Sequence, residues 1–75
     1  MKTNKSVEGN KFKIMEEVFF GGKRAVLNNL TLKKAKSLAK LYDMQADVYT
    51  QYYVLPENVP SDLIYDTDKR VEIYT

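Results

Sequence analysis

The chain reads as a single small α+β domain, an antiparallel sheet with one amphipathic helix packed on a face, in the order β-β-α-β-β-β. Three observations predict it. Leu32, Ala35, Leu38, Ala39 and Tyr42 recur at helical spacing between Thr31 and Asp43 and mark one helix. Asp47 to Leu55 (Asp-Val-Tyr-Thr-Gln-Tyr-Tyr-Val-Leu) is rich in β-branched and aromatic residues and marks a strand. Gly21-Gly22 lies between two apolar runs, where a hairpin turn belongs. Strands gathered around one helix, rather than alternating with several, imply an antiparallel sheet. The 75 residues suffice for one domain, and with no Cys its core must be held by packing alone.

Residues 1–10, Met1 to Asn10, are polar and read as a flexible basic arm, leaving 11–75 as the domain. Lys11 to Phe20 admits two readings. As a strand it places Phe12, Ile14, Val18 and Phe20 on one face, with Glu16 the exception. As a helix it would be capped by Asn10, stopped by Gly21, and aligned on Phe12, Met15 and Phe19. Hairpin logic favours the strand. A four-residue loop, Gly21 to Arg24, then leads into Ala25-Val26-Leu27 and pairs Phe20 with Ala25 and Val18 with Leu27.

The helix is expected over Leu30 to Asp43, with Thr31 as N-cap and Leu30 stapled onto Ala35. Lys33, Lys36 and Lys40 fall opposite its apolar stripe, within roughly 60° of one another. In the following strand Ala46, Val48, Thr50, Tyr52 and Val54 share one face; Tyr49, Gln51, Tyr53 and Leu55 share the other. Pro56 and Pro60 bracket a loop. Leu63-Ile64-Tyr65, a turn over Asp66 to Lys69, and Val71 to Tyr74 then read as a second hairpin.

Charge carries most of what the sequence says about function. Up to Lys40 there are ten Lys or Arg against three acids, +7; from Leu41 onward there are two against seven, −5. The formal net charge of +2 hides this polarity. A clustered charge of one sign steers encounter with the opposite sign. Catalysis is not expected. Without His or Cys the commonest general base and the thiol nucleophile are absent, and Ser6, Ser37 and Ser61 lie in no nucleophile elbow. Glu16 and Glu17 would point to opposite faces of a strand. Asp62, Asp66, Asp68 and Glu72 lack the central Gly and further ligands of a calcium loop and read as turn residues and solvated charge. Gly21-Gly22-Lys23 lacks the spacing of a phosphate loop. Neither metal nor cofactor is expected. No apolar run is long enough for a membrane span and no signal-peptide pattern follows Met1, so the expected setting is the cytoplasm, that of the host if the protein is viral.

Lys33 and Lys34 would occupy the first turn of the helix, where the macrodipole disfavours cations by about 0.3–1 kcal/mol each. Lys34 stands where a Glu would complete a capping box. Both point to an external anion. With Lys23 and Arg24 from the hairpin turn, Lys33, Lys34, Lys36 and Lys40 form the expected contact set for a protein or nucleoprotein partner, with bare nucleic acid a further reading. A different class of function rests on the six tyrosines, all in the acidic half. There Tyr49, Tyr52 and Tyr53 would form the alternative interface, to another protein or to a second copy in a homodimer.

The run Leu30-Thr31-Leu32-Lys33-Lys34-Ala35-Lys36-Ser37-Leu38-Ala39, set between a Gly-turn hairpin and a strand, is similar in layout to many small phage-encoded proteins. Some anti-CRISPR proteins share the β-β-α-β-β-β layout and use charged surfaces against nucleoprotein complexes. The resemblance covers most of the chain, holds no diagnostic motif and transfers no site residue. It implies a phage or mobile-element accessory protein, a non-enzymatic binding or inhibitor module with an anti-defence role.

Overall fold

The computed structural model describes residues 11–74, so the expected basic arm over 1–10 lies outside the described residues. The α+β class holds: among the described residues one helix packs on a three-stranded antiparallel sheet. Strands β1 (Phe12–Val18) and β2 (Gly22–Leu30) form the first hairpin, helix α1 spans Leu32–Gln45, and β3 is Thr50–Pro56. The spatial order is β2-β1-β3, with β1 in the centre and paired antiparallel to both neighbours. Among the described residues no helix is long and apolar enough to cross a membrane.

The strand reading of 11–20 is the one adopted, but the hairpin turns earlier than expected. Phe19, Phe20 and Gly21 form the loop, closed by Gly21 N–H donating to the Val18 carbonyl at 3.0 Å. Gly22 follows at φ 80°, a left-handed conformation that glycine alone adopts freely. The register therefore pairs Val18 with Gly22, Glu16 with Arg24 and Met15 with Ala25, instead of Phe20 with Ala25 and Val18 with Leu27. Two register shifts on β2 then bring Leu27 opposite Ile14 and Leu30 opposite Phe12. Asn29, at φ 62°, takes the left-handed position within the second shift. Uniform alternation could not anticipate this, because each extra residue flips the side chains that follow it.

Helix α1 begins as expected: Thr31 Oγ accepts from the Lys34 N–H at 3.3 Å. It buries Ala35 and Ala39 completely against Ile14 and Val54, with Ile73 closing the cluster. Leu30, Leu38 and Tyr42 pack around that core, while Leu32, expected in the stripe, is 41% exposed. Two alanines at the contact let the helix axis lie close to the sheet.

Among the described residues the second expected hairpin does not form, and the sheet has three strands instead of five. Leu63 to Tyr65 is irregular, Thr67–Lys69 is a single 3-10 turn, and only Val71 pairs with β3, through one bridge to Val54. The segment 57–70 instead covers the sheet face that the helix leaves bare. There Met15, Tyr53 and Leu55 form a second buried cluster with Ala25 and Val59 around it. Lys13, nearly buried, donates to the Val59 carbonyl and to Ser61 Oγ and fastens the segment down. The sheet is thus covered on both faces.

Candidate functional site

The six cations expected to act together are divided by the fold. Lys23 and Arg24 point to opposite faces of β2 and each already has an internal partner. Lys23 Nζ lies 3.1 Å from Asp66 Oδ2, and Arg24 Nε lies 3.0 Å from Glu16 Oε1. Glu16 also accepts from the Tyr52 hydroxyl at 2.6 Å. The Tyr52 bond first, and Arg24 next, hold the Glu16 carboxyl below its ordinary value, while the same bond raises the Tyr52 phenol.

Lys33, Lys34, Lys36 and Lys40 project from the outer side of α1, three of them exposed and Lys36 half-buried. Among the described residues, none of the four forms a salt bridge. The acid nearest to Lys40 along the helix, Asp43, is already engaged by the Tyr52 N–H at 2.9 Å and the Tyr74 hydroxyl at 2.6 Å. Lys40 sits 5.7 Å from the Tyr74 ring centroid, within cation–π range. Leu32, Lys33, Lys36, Ser37, Lys40 and Ile73 line an open groove, so the cationic face has an apolar floor.

The tyrosines of the alternative interface do not share a surface. Tyr52 faces the helix and packs against Tyr42 at 5.6 Å, whereas Tyr53 is buried on the opposite face. Tyr49 lies outside β3, in the loop before it. The Tyr53 hydroxyl donates to Asp66 Oδ2 at 3.0 Å, and the Arg70 guanidinium stacks 3.7 Å from its ring centroid. Burial first, then the Asp66 bond, pushes the Tyr53 phenol far above its ordinary range.

Asp66 is the centre of that second face. Its side chain is 1% exposed and takes Lys23, Tyr53 and Arg70 together, the last at 2.9 Å. Arg70 reaches on to Glu17 at 3.1 Å, which also accepts from Gln51 at 2.8 Å. Burial alone would raise the Asp66 pKa, but the bonds from Lys23, Tyr53 and Arg70 outweigh it and hold it below 3.8. Every buried side-chain polar atom among the described residues has a partner. The cluster is a fully matched internal network that ties the 57–70 segment to the sheet. Among the described residues no group of three or more His, Cys, Asp or Glu is arranged to hold a metal.

Sequence reasoning missed one surface. Phe19 and Phe20, in the hairpin loop, are 74% and 81% exposed, and beside them Val48 and Tyr49 are 90% and 56% exposed. The rings of Phe19 and Phe20 meet edge-to-face at 4.5 Å, and Phe20 lies 6.1 Å from Tyr49. The Phe19 N–H donates to the Tyr49 carbonyl at 2.8 Å and joins the two loops. The signal was legible in principle: two phenylalanines directly before Gly-Gly occupy turn positions that normally hold polar residues. Comparison with protein-family models, with characterised proteins and with solved structures gives no match.

Proposed function

We propose that this protein is a non-enzymatic binding module that attaches to an anionic surface, acidic protein or nucleoprotein, through the outer face of α1. Its mode of action is occupancy: it blocks the surface it covers, as an inhibitor would. The observation that carries this reading is the contrast between two sets of cations. Lys23, Arg24 and Arg70 are matched by carboxylates within the fold, whereas Lys33, Lys36 and Lys40 gather on one helix face, with Lys34 exposed on its flank, and none of the four has such a partner among the described residues. Two of them sit in the first helical turn against the dipole, where folding gains nothing from them. The apolar floor given by Leu32 and Ile73 supports an acidic protein segment over bare phosphate, since phosphate contacts make no use of apolar surface.

The test is fluorescence anisotropy with labelled poly-glutamate, duplex DNA and single-stranded RNA against the wild type and a Lys33→Glu, Lys36→Glu, Lys40→Glu variant. Surface changes of this kind usually cost within about 0.5 kcal/mol each, so the variant should keep its circular dichroism spectrum. The wild type should bind at least one probe, more weakly as salt rises, and the variant should lose that binding. Equal binding by both proteins, or none by the wild type at low salt, would refute the reading.

A further inference from the structure

The hairpin tip has a shape and a charge pattern suited to its own copy. Phe20 is a convex knob. Directly beside it lies an open cleft of about 400 Å³, roomy enough for a phenyl ring, where Val18, Phe19, Val48 and Tyr49 supply apolar surface and Glu17 and Gln51 a polar wall. A two-fold interface requires a patch that carries both a feature and its complement, because each residue i that meets j is matched by j meeting i. We propose that Phe20 of one copy enters the cleft of a second, and the second copy's Phe20 enters the first's, giving a reversible two-fold dimer.

Charge permits this occupant at the tip and opposes it on the helix. Glu17 at the cleft wall is bonded by Arg70 and Gln51, and Glu16 by Arg24 and Tyr52, so two tips meet without stacking unmatched charge from β1. Asp47, whose carboxylate caps the Tyr49 N–H at 3.0 Å, is the one charge per tip without a cation among the described residues. The lysine face of α1, by contrast, would repel its own copy. The tip is also held in place before association: ring contacts from Phe19 and Tyr49 restrict Phe20, which lowers the ordering cost.

The area at the tip is small. Phe19, Phe20, Val48 and Tyr49 expose on the order of 500 Å² at their observed exposures. A stable complex buries about 800 Å² per partner, so the dimer should be weak and reversible. Because α1 runs from the far end of the sheet, beside Leu30, toward the tip, tip-to-tip pairing leaves Lys33 and Lys34 of both copies at its outer ends.

Sedimentation equilibrium on the full chain, from about 1 μM to about 1 mM, tests this. The mean mass should rise toward twice the monomer for the wild type. Phe20→Ser, which removes the knob, and Val48→Glu, which blocks the cleft, should each weaken association about tenfold or more with the circular dichroism unchanged. An equimolar mixture of the two variants keeps one intact knob facing one intact cleft and should associate better than either alone. A wild type that stays monomeric throughout, or a dimer indifferent to Phe20→Ser, would overturn the proposal. So would a monomer that co-sediments with phosphatidylcholine vesicles through Phe20, which would reassign the tip to lipid.

Discussion

Replacing Asp66 by Asn keeps the size of the side chain but removes its charge. The carboxylate is 1% exposed and neutralises Lys23 and Arg70 while accepting from Tyr53. Breaking one side of a buried ion pair typically costs 3–5 kcal/mol, because the remaining charge stays buried and unmatched. Here Lys23 and Arg70 keep 13% and 24% of their side-chain exposure, and Arg70 retains Glu17, so part of that cost is relieved. We expect a loss of about 3 kcal/mol, which for a chain of this size is a large share of the total. In a thermal melt this amounts to a fall of roughly 12–24 °C. Urea denaturation followed by circular dichroism is the assay. Asp68→Asn, an exposed change two residues along, is the control and should stay within about 0.5 kcal/mol. A midpoint for Asp66→Asn as close to wild type as that of the control would refute the anchoring role given to this cluster.

Ala39→Leu should destabilise by about 1–3 kcal/mol, since Ala39 is fully buried where α1 meets Ile14 and Val54; an unchanged urea midpoint would mean that the helix sits farther from the sheet. Stability should also fall at high pH. Tyr53, through burial and its bond to Asp66, and Tyr52, through its bond to Glu16 and burial, ionise later in the folded chain than the ordinary 10.0. Their contribution is fully present below pH 10 and lost as pH rises through the folded values, so urea midpoints should be level up to about pH 10 and drop beyond it. On the acid side Asp66 and Glu16 have lowered values. Their contribution is present above 3.8 and 4.5 and lost as pH falls through the folded values, and Asp66→Asn should lack its share of that loss.

What the sequence made legible was what local periodicity and capping control. The helix, its Thr31 cap, the Ala35 and Ala39 contact and the outward lysines all follow from spacing along one element. The strand core of 50–55, with Tyr52 and Tyr53 on opposite faces, follows from alternation. The register of β1 and β2 did not, because the two shifts on β2 are decided by which apolar residues the helix and the 57–70 segment cover. The segment 63–74 has strand-like composition yet forms no hairpin: Asp66 is drawn onto the sheet by Lys23, Tyr53 and Arg70. Those partners are 43, 13 and 4 residues away, and only Arg70 is near enough for a local pattern to suggest. For the same reason Lys23 and Arg24 read as free cations until their carboxylates came into view across the sheet.

Amide chemical-shift mapping would show whether the outer face of α1 is the binding surface. The isotope-labelled full chain would be titrated with a short poly-glutamate peptide at low salt and again at high salt. Shifts should concentrate on residues 32–40 together with Ile73 and Tyr74, shrink as salt rises, and vanish in the Lys33→Glu, Lys36→Glu, Lys40→Glu variant. Shifts centred on β2 or on the 57–70 segment, or an identical pattern in the variant, would contradict that reading.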